Sequence, residues 1–321
     1  MADFRNPHSK TQGGVSIALN GLLPVDKPQG WTSHDVVDRV RCTLQVRKAG
    51  HTGTLDPIAT GVLVLCLGQS TRLSSFLTDQ DKRYRARIRL GISTDTLDAA
   101  GAVIARSDQV PADQGVVFQV VRRFVGEIEQ IPPMFSARIV AGKRLYQLAR
   151  AGQEVAREAR RVRIYGIDIE RFVPPLLDLT VSCSKGCYIR ALADDIGRKL
   201  GCGGHLVALR RTAVGKIGLD HCIPLEDLQV LCAEGRIEEH LIDPNRALGH
   251  MPGLHLTSDQ IRRFVHGTPV AGIREVEIQS SDLVRALDPK GSLLGIGRWT
   301  ADGAVLKPVR VFQRLKRQPA A

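Results

Sequence analysis

Gly50-His-Thr-Gly-Thr-Leu-Asp-Pro-Ile-Ala-Thr-Gly-Val-Leu-Val-Leu-Cys-Leu67 is the stretch around which the chain is organised. Its first half is small and turn-forming, with Gly50, Gly53 and Gly61 interleaved with Thr52, Thr54 and Thr60. A loop this rich in glycine can bring backbone close to another molecule. One acid, Asp56, stands at its centre and is followed by Pro57. Proline pushes the residue before it out of the helical region, so Asp56 is expected on a stiff, extended bend. Gly61 to Leu67 is an apolar run of strand length and reads as a buried strand. A carboxylate on a rigid loop beside a buried strand is how a catalytic group is positioned. Taken alone, the same dipeptide also makes an ordinary Asp-Pro turn.

Upstream, Leu22 to Val25 reads as a short strand. Thr32 or Ser33 can cap a helix running to about Thr43, with Val36, Val37 and Val40 on one face. Downstream, Asp81 to Gly91 alternates: Tyr84, Ala86, Ile88 and Leu90 share one face of a strand, and Arg83, Arg85, Arg87 and Arg89 the other. On that pattern alone Tyr84 is a core tyrosine and the arginines a solvated face. Val116, Val117, Val120, Val121 and Phe124 mark an amphipathic helix. Arg157 to Arg163 holds four arginines in seven residues, on the plain reading a solvated basic patch. Leu177, Leu179, Val181 and Cys183 form a strand leading into Ser184-Lys-Gly-Cys-Tyr188. A helix follows, burying Ile189, Leu192, Ala193, Ile196 and Leu200 and ended by Gly201. Tyr188 and Arg190 therefore stand at a strand-to-helix junction.

The chain has 321 residues, enough for one large or two ordinary domains. Its longest apolar run, Val62 to Leu67, is too short to span a bilayer. The N-terminus lacks the apolar segment of a signal peptide, so a cytoplasmic protein with no membrane partner is expected. Seven cysteines without C-x-x-C spacing indicate neither a zinc site nor a disulfide framework. The 45 Lys+Arg against 33 Asp+Glu give a formal net charge of +12. That excess suits a polyanion, because phosphate contacts supply most non-specific nucleic-acid affinity; it is equally that of a merely basic soluble protein.

Five segments carry a resemblance. They are Val25-Asp-Lys-Pro-Gln-Gly-Trp-Thr-Ser33, the Asp56 loop, Asp81-Lys-Arg-Tyr84, Ser184-Lys-Gly-Cys-Tyr-Ile-Arg190 and Leu209-Arg-Arg-Thr212. In this order they resemble the TruB family of pseudouridine synthases, over about Gly21 to Gly218. The resemblance implies an α+β fold: a mixed, mainly antiparallel sheet with flanking helices, plus a small C-terminal PUA-like β-barrel. The expected division is a flexible tail over 1–20, a catalytic domain over 21–248 and an RNA-binding domain over 249–315. A thumb-like insertion is expected over about 130–152.

The implied reaction converts a uridine of the tRNA T loop, position 55, to pseudouridine, without cofactor or metal and with a monomeric enzyme. Asp56 would start it; attack on the sugar, attack on the base and removal of a sugar proton all stay open. Arg190 would keep Asp56 ionised, and Tyr188 would take the proton from the new attachment carbon. His51 would wedge into the gap left by the flipped base, Tyr84 would stack on that base, and Leu209 would line its pocket. Lys27 and Thr32-Ser33 fall where the family has a supporting motif. The chain departs from the family at Ala100 (usually an acid), Arg138 (usually lysine) and Cys187 (usually threonine). Two other readings stay open: a non-catalytic RNA-binding chaperone of tRNA folding, and the catalytic subunit of a guide-RNA-directed pseudouridylation particle.

Overall fold

Alternation of apolar and charged side chains builds the central sheet, and the Asp56 loop hangs between two of its strands. The computed structural model describes residues 19–136, 139–140, 142–153, 155–273, 282–300 and 305–312. The chain opens with β1 (Gly21–Lys27), α1 (Ser33–Thr43), β2 (Ala49–His51) and β3 (Ala59–Leu67). Next come α2 (Ser74–Thr78), β4 (Lys82–Leu90) and a hairpin of β5 (Ile92–Thr94) and β6 (Val103–Arg106). Then follow α3 (Gln114–Arg122), β7 (Gly126–Gln130), β8 (Ile139–Val140), β9 (Lys143–Arg144) and α4 (Leu145–Arg150). The long pair β10 (Arg160–Val173) and β11 (Leu176–Cys183) leads to α5 (Ile189–Lys199) and β12 (Gly204–Val214). After β13 (Ile217–Gly218) and β14 (Ile223–Pro224) come α6 (Leu228–Ala233) and α7 (Pro244–Ala247). The last elements are β15 (Gly253–His255), α8 (Ser258–Val265), β16 (Leu283–Leu287), β17 (Leu293–Thr300) and β18 (Val305–Val311).

The main sheet runs β14-β1-β3-β12-β4-β11-β10-β7, with β13 on β12 and β2 on β3. Among the described residues, only β1–β14 and β3–β12 are parallel pairs in it. The architecture is the mixed, mainly antiparallel α+β arrangement expected. In β4 every second residue is buried, which puts Tyr84, Ala86, Ile88 and Leu90 on the core face and the four arginines outside. Those side chains join Val36, Val40, Val117, Val121, Leu192 and Ile196 from α1, α3 and α5 in the largest apolar cluster. The α1 start is a capping box: Thr32 accepts from the Asp35 amide while the Asp35 carboxylate accepts from the Thr32 amide. Two details differ from the periodicity reading. The α3 helix ends at Arg122, before Phe124, and Val116 faces solvent, because its buried stripe is Val117, Val120 and Val121.

A second, four-stranded sheet, β15-β16-β17-β18, is covered by α8. Its Leu287, Leu293 and Ile296 join Leu22, Val62, Val64 and Cys66 of β1 and β3 in one buried cluster. The strand β3 that follows the Asp56 loop is thus apolar on both faces, which explains its uninterrupted hydrophobic run. Arg138 and the tail over 1–18 lie outside the described residues.

Candidate active site

The Asp56 loop is held from three sides. Ser33 Oγ, in the first turn of α1, accepts from the Leu55 amide at 2.8 Å and lies 3.0 Å from the Leu55 carbonyl. The Gly30 amide donates to the Pro57 carbonyl at 2.8 Å. From β12, the buried Arg211 donates to the carbonyls of Gly53 (3.0 Å), Thr54 (3.4 Å) and Val62 (2.7 Å). Asp56 therefore sits on the stiff bend expected of a pre-proline residue. Gly61 has a different use from the one its sequence suggests. Its φ is +100°, and a Cβ there would lie 2.2 Å from the Arg211 carbonyl. Glycine serves here for close packing of β3 against β12 rather than for approach to another molecule.

Arg190, one residue into α5, meets this loop. Its Nε lies 2.9 Å from Asp56 Oδ2. The same guanidinium is 3.6 Å from Asp98 Oδ2 and donates to the carbonyls of Thr96 (3.0 Å) and Phe135 (2.7 Å). Arg190 is 5 % exposed, whereas a third of the Asp56 side chain stays open to a cavity. Asp98 is itself fixed, accepting from Thr96 Oγ1 at 2.6 Å and from the Ala100 amide at 3.0 Å. Its turn carries Leu97 at φ +63°, a conformation uncommon outside glycine. Ala100, which departs from the family's usual acid, contributes only backbone here.

The cavity in front of Asp56 has a volume of about 630 Å³. Tyr84, Tyr188, Arg190 and Leu209 line it together with Asp56, so five of the six residues singled out from the sequence converge on one space. His51 does not line it; it lies on β2, paired in register with Leu65, beside the loop. Tyr188 is the N-cap residue of α5 and is gripped by Gln130, which accepts from its amide at 3.0 Å and donates to its carbonyl at 3.3 Å. The Arg160–Arg161 end of β10 also reaches the cavity, as do Lys82 and Lys185. Arg157–Arg163 is thus more than a solvated patch. Cys187, in place of the family's usual threonine, lines the cavity, where the neighbouring Cys183 and burial hold its thiol well above the ordinary cysteine value.

Burial sets the electrostatics. Desolvation pushes the Asp56 carboxyl above the ordinary aspartate value and the neighbouring Asp98 adds to this, while Arg190 pulls it back. Burial drives the Tyr84 phenol up to about 12, opposed by the positive charge of Arg211. Lys27 is fully buried, donates to the Pro28 and Trp31 carbonyls, and is pushed down to about 8 by desolvation. It ties down the connection between β1 and α1, from which the Gly30 amide and Ser33 Oγ hold the Asp56 loop. A shielded carboxylate held against an arginine, facing two tyrosines and a leucine, can act as nucleophile or base on a flat, uncharged ring. Among the described residues no group of three or more His, Cys, Asp and Glu side chains is gathered as a metal site. Among them, too, no helix is long and apolar enough to cross a membrane.

The sequence alone assigns no role to Asp98, Gln130 or Arg211. A signal exists for Arg211, since strand alternation puts it on the same inward face as Leu209.

Family models match the chain from residue 41 to residue 312. Residues 41–189 match the TruB family pseudouridylate synthase N-terminal domain, and 190–251 the tRNA pseudouridylate synthase B C-terminal domain. Residues 252–312 match the C-terminal region described as pseudouridine synthase II TruB. The chain belongs to the TruB family. Among its relatives, tRNA pseudouridine synthase B of Pseudomonas aeruginosa (strain UCBPP-PA14) is 44% identical over 294 residues, which cover 91% of this chain and 95% of that protein. The protein of the same name from Ralstonia pickettii (strain 12J) is 46% identical over 307 residues, covering 91% and 94%. Among solved structures, a chain of a Cbf5–Nop10–Gar1 complex superposes with a TM-score of 0.74 at 28% identity, over 92% of this chain and 85% of that one. A chain of an H/ACA RNP bound to a substrate RNA containing 2'-deoxyuridine gives 0.71 at 28%, over 93% and 87%. This TruB-family chain thus shares its fold with chains of larger assemblies.

Proposed function

We propose that this TruB-family enzyme isomerises a uridine of the tRNA T loop, position 55, to pseudouridine on its own, without a guide RNA. The observation that carries the reading is the Asp56–Arg190 contact at the wall of a cavity also lined by Tyr84, Tyr188 and Leu209. The target base leaves its stack at a cost of about a few kcal/mol, and His51, beside the loop, fills the gap. Tyr84 then stacks on the base, worth roughly 1–3 kcal/mol, and Leu209 closes the other side. Asp56 attacks or deprotonates, the N-glycosidic bond breaks, the uracil turns, and a carbon–carbon bond forms to the ribose. The ring proton at that carbon leaves to Tyr188, and the released nitrogen takes up a proton. Arg190 keeps Asp56 anionic inside a pocket that would otherwise protonate it.

We take the β15–β18 unit, about 249–315, as a PUA-like RNA-binding domain and 130–152 as a thumb over the RNA. We expect a cytoplasmic monomer. The likeness to Cbf5 chains gives the guide-directed reading a specific basis; the relatives named tRNA pseudouridine synthase B, matched over nearly their whole length, favour the stand-alone one. The test is to incubate the pure protein with a T-arm stem–loop and no guide RNA. Pseudouridine at the expected uridine supports the proposal. RNA binding without product supports the chaperone reading, and product only after a guide RNA is added supports the particle.

A further inference from the structure

At the rim of the same cavity Lys185 Nζ lies 2.7 Å from Asp79 Oδ2, with the two side chains 56% and 60% exposed. Both residues line the cavity that holds Asp56. They come from neighbouring loops at one end of the paired strands β4 and β11, where Lys82 is in register with Cys183.

Each loop is built firmly beneath its charge. Buried Lys82 donates to the carbonyls of Thr78 (2.6 Å) and Gln80 (2.5 Å), the two residues that flank Asp79. Gln80 Nε2 donates to the Ala247 carbonyl at 3.1 Å, and Tyr165 donates to Asp81 at 3.0 Å. On the other side, the Ser184 amide donates to the Arg163 carbonyl at 2.8 Å and Ser184 Oγ accepts from the Arg163 amide at 2.9 Å. Gly186, at φ +80°, turns the chain immediately after Lys185. The backbones are therefore fixed while the two charged heads stay in water. A pair this exposed is screened by water and holds its partners weakly, so it opens readily to a stronger anion. Arg160 and Arg161 line the same cavity. An RNA strand that delivers a base into this space brings phosphates to its rim.

We propose that Asp79 and Lys185 form an exchangeable rim pair: Lys185 leaves Asp79 to bind a backbone phosphate next to the target uridine, and Asp79 is its place-holder in the free enzyme. Lys185 is then a positioning residue that acts on the strand and takes no part in bond making. The proposal rests on the pseudouridine synthase reading above.

The test uses full-length wild type, Lys185→Met, Lys185→Arg and Asp79→Asn. Dissociation constants for a T-arm stem–loop are measured at several salt concentrations, alongside single-turnover rates at saturating RNA. Lys185→Met is expected to weaken binding about three- to tenfold and to lower the log–log salt slope by about one unit, with the saturated rate unchanged. Lys185→Arg should keep the slope. Asp79→Asn should tighten binding by about two- to fivefold, since it removes the competing anion. Stem–loops carrying one uncharged methylphosphonate on either side of the uridine locate the partner. At one of those positions the neutral linkage should weaken wild-type binding as much as Lys185→Met does, and add nothing in that variant. An unchanged slope for Lys185→Met, full additivity at both linkages, or weaker binding by Asp79→Asn would each overturn the rim pair. If wild type makes pseudouridine while Lys185→Met keeps its affinity and slope, the rim pair alone fails. If wild type makes none, the synthase reading fails, whatever the binding data say.

Discussion

Arg190 and Lys185 stand five positions apart at one strand-to-helix junction and face one cavity, yet their ion pairs differ in kind. Arg190 is 5 % exposed and touches two carboxylates and two backbone carbonyls. Lys185 is more than half exposed, and its ion pair is with Asp79. Removing one member of a buried charge set leaves the others uncompensated, at a cost of about 3–5 kcal/mol. Removing one member of an exposed pair costs about 1 kcal/mol or less. Residue type fits the division: a planar guanidinium suits several fixed acceptors, a flexible ammonium suits one that changes. The buried set sets the charge of Asp56, and the exposed pair has the properties of a strand-binding contact.

Four substitutions break or sharpen this contrast. The largest effect is expected for Asp56→Asn, which keeps shape and replaces the carboxylate with a neutral amide. Turnover should fall about 10⁴-fold or more, with RNA affinity within about twofold of wild type. Near-normal product in a single-turnover assay would remove Asp56 from the chemistry.

Next is Arg190→Met, with a rate loss of about 10²–10³-fold. The signs of its pH dependence follow from burial. Asp56 already titrates above an ordinary aspartate, so the anion, and the rate, disappear on acidification sooner than for an exposed acid. Loss of the cation that does most to lower this value should move the acid limb of the rate profile further up in pH. Stability runs the other way. A carboxyl raised in the folded state binds protons the unfolded chain has released, so its contribution falls as pH rises through the shifted range.

Asp98→Asn separates the two carboxylates. Asp98 raises the Asp56 value by repulsion, so the neutral amide should move the acid limb down, opposite to Arg190→Met. A rate loss of about tenfold is expected from a less firmly held Arg190. A limb that moves up in both variants would mean that Asp98 acts only through packing.

The smallest effect belongs to Arg160→Met at the rim, where binding should weaken a few-fold and the salt slope fall by about one unit, without change in the saturated rate. A lowered rate with an intact slope would place Arg160 with the buried set instead.

Elements with one strong local signal are legible in the amino-acid order itself. The alternation of β4 and β11 marks their inner faces, and the Thr32 cap marks the start of α1. The order of short motifs around Asp56, Tyr84, Tyr188, Arg190 and Leu209 picks out the cavity walls. What escapes depends on contacts distant in sequence. Nothing local says that Asp98, rather than Asp95, turns inward; that is decided where its turn docks on β12, through Ala99 and Leu206. Arg211 and Lys27 are hard to read as buried because a charged side chain counts as solvated until backbone carbonyls are found for it. The basic run over Arg157–Arg163 reaches the site because Arg160 pairs in register with Gln130, the residue that grips Tyr188.

The most direct test sets Arg190→Met beside Lys185→Met in one series of single-turnover rates and dissociation constants taken at several salt concentrations on the T-arm stem–loop. The account predicts a collapsed rate with an unchanged salt slope for Arg190→Met, and an unchanged saturated rate with a slope lower by about one unit for Lys185→Met. An Arg190→Met enzyme that keeps its rate while losing about one unit of slope would make Arg190 a phosphate contact and contradict the ion pair with Asp56 as the centre of the chemistry.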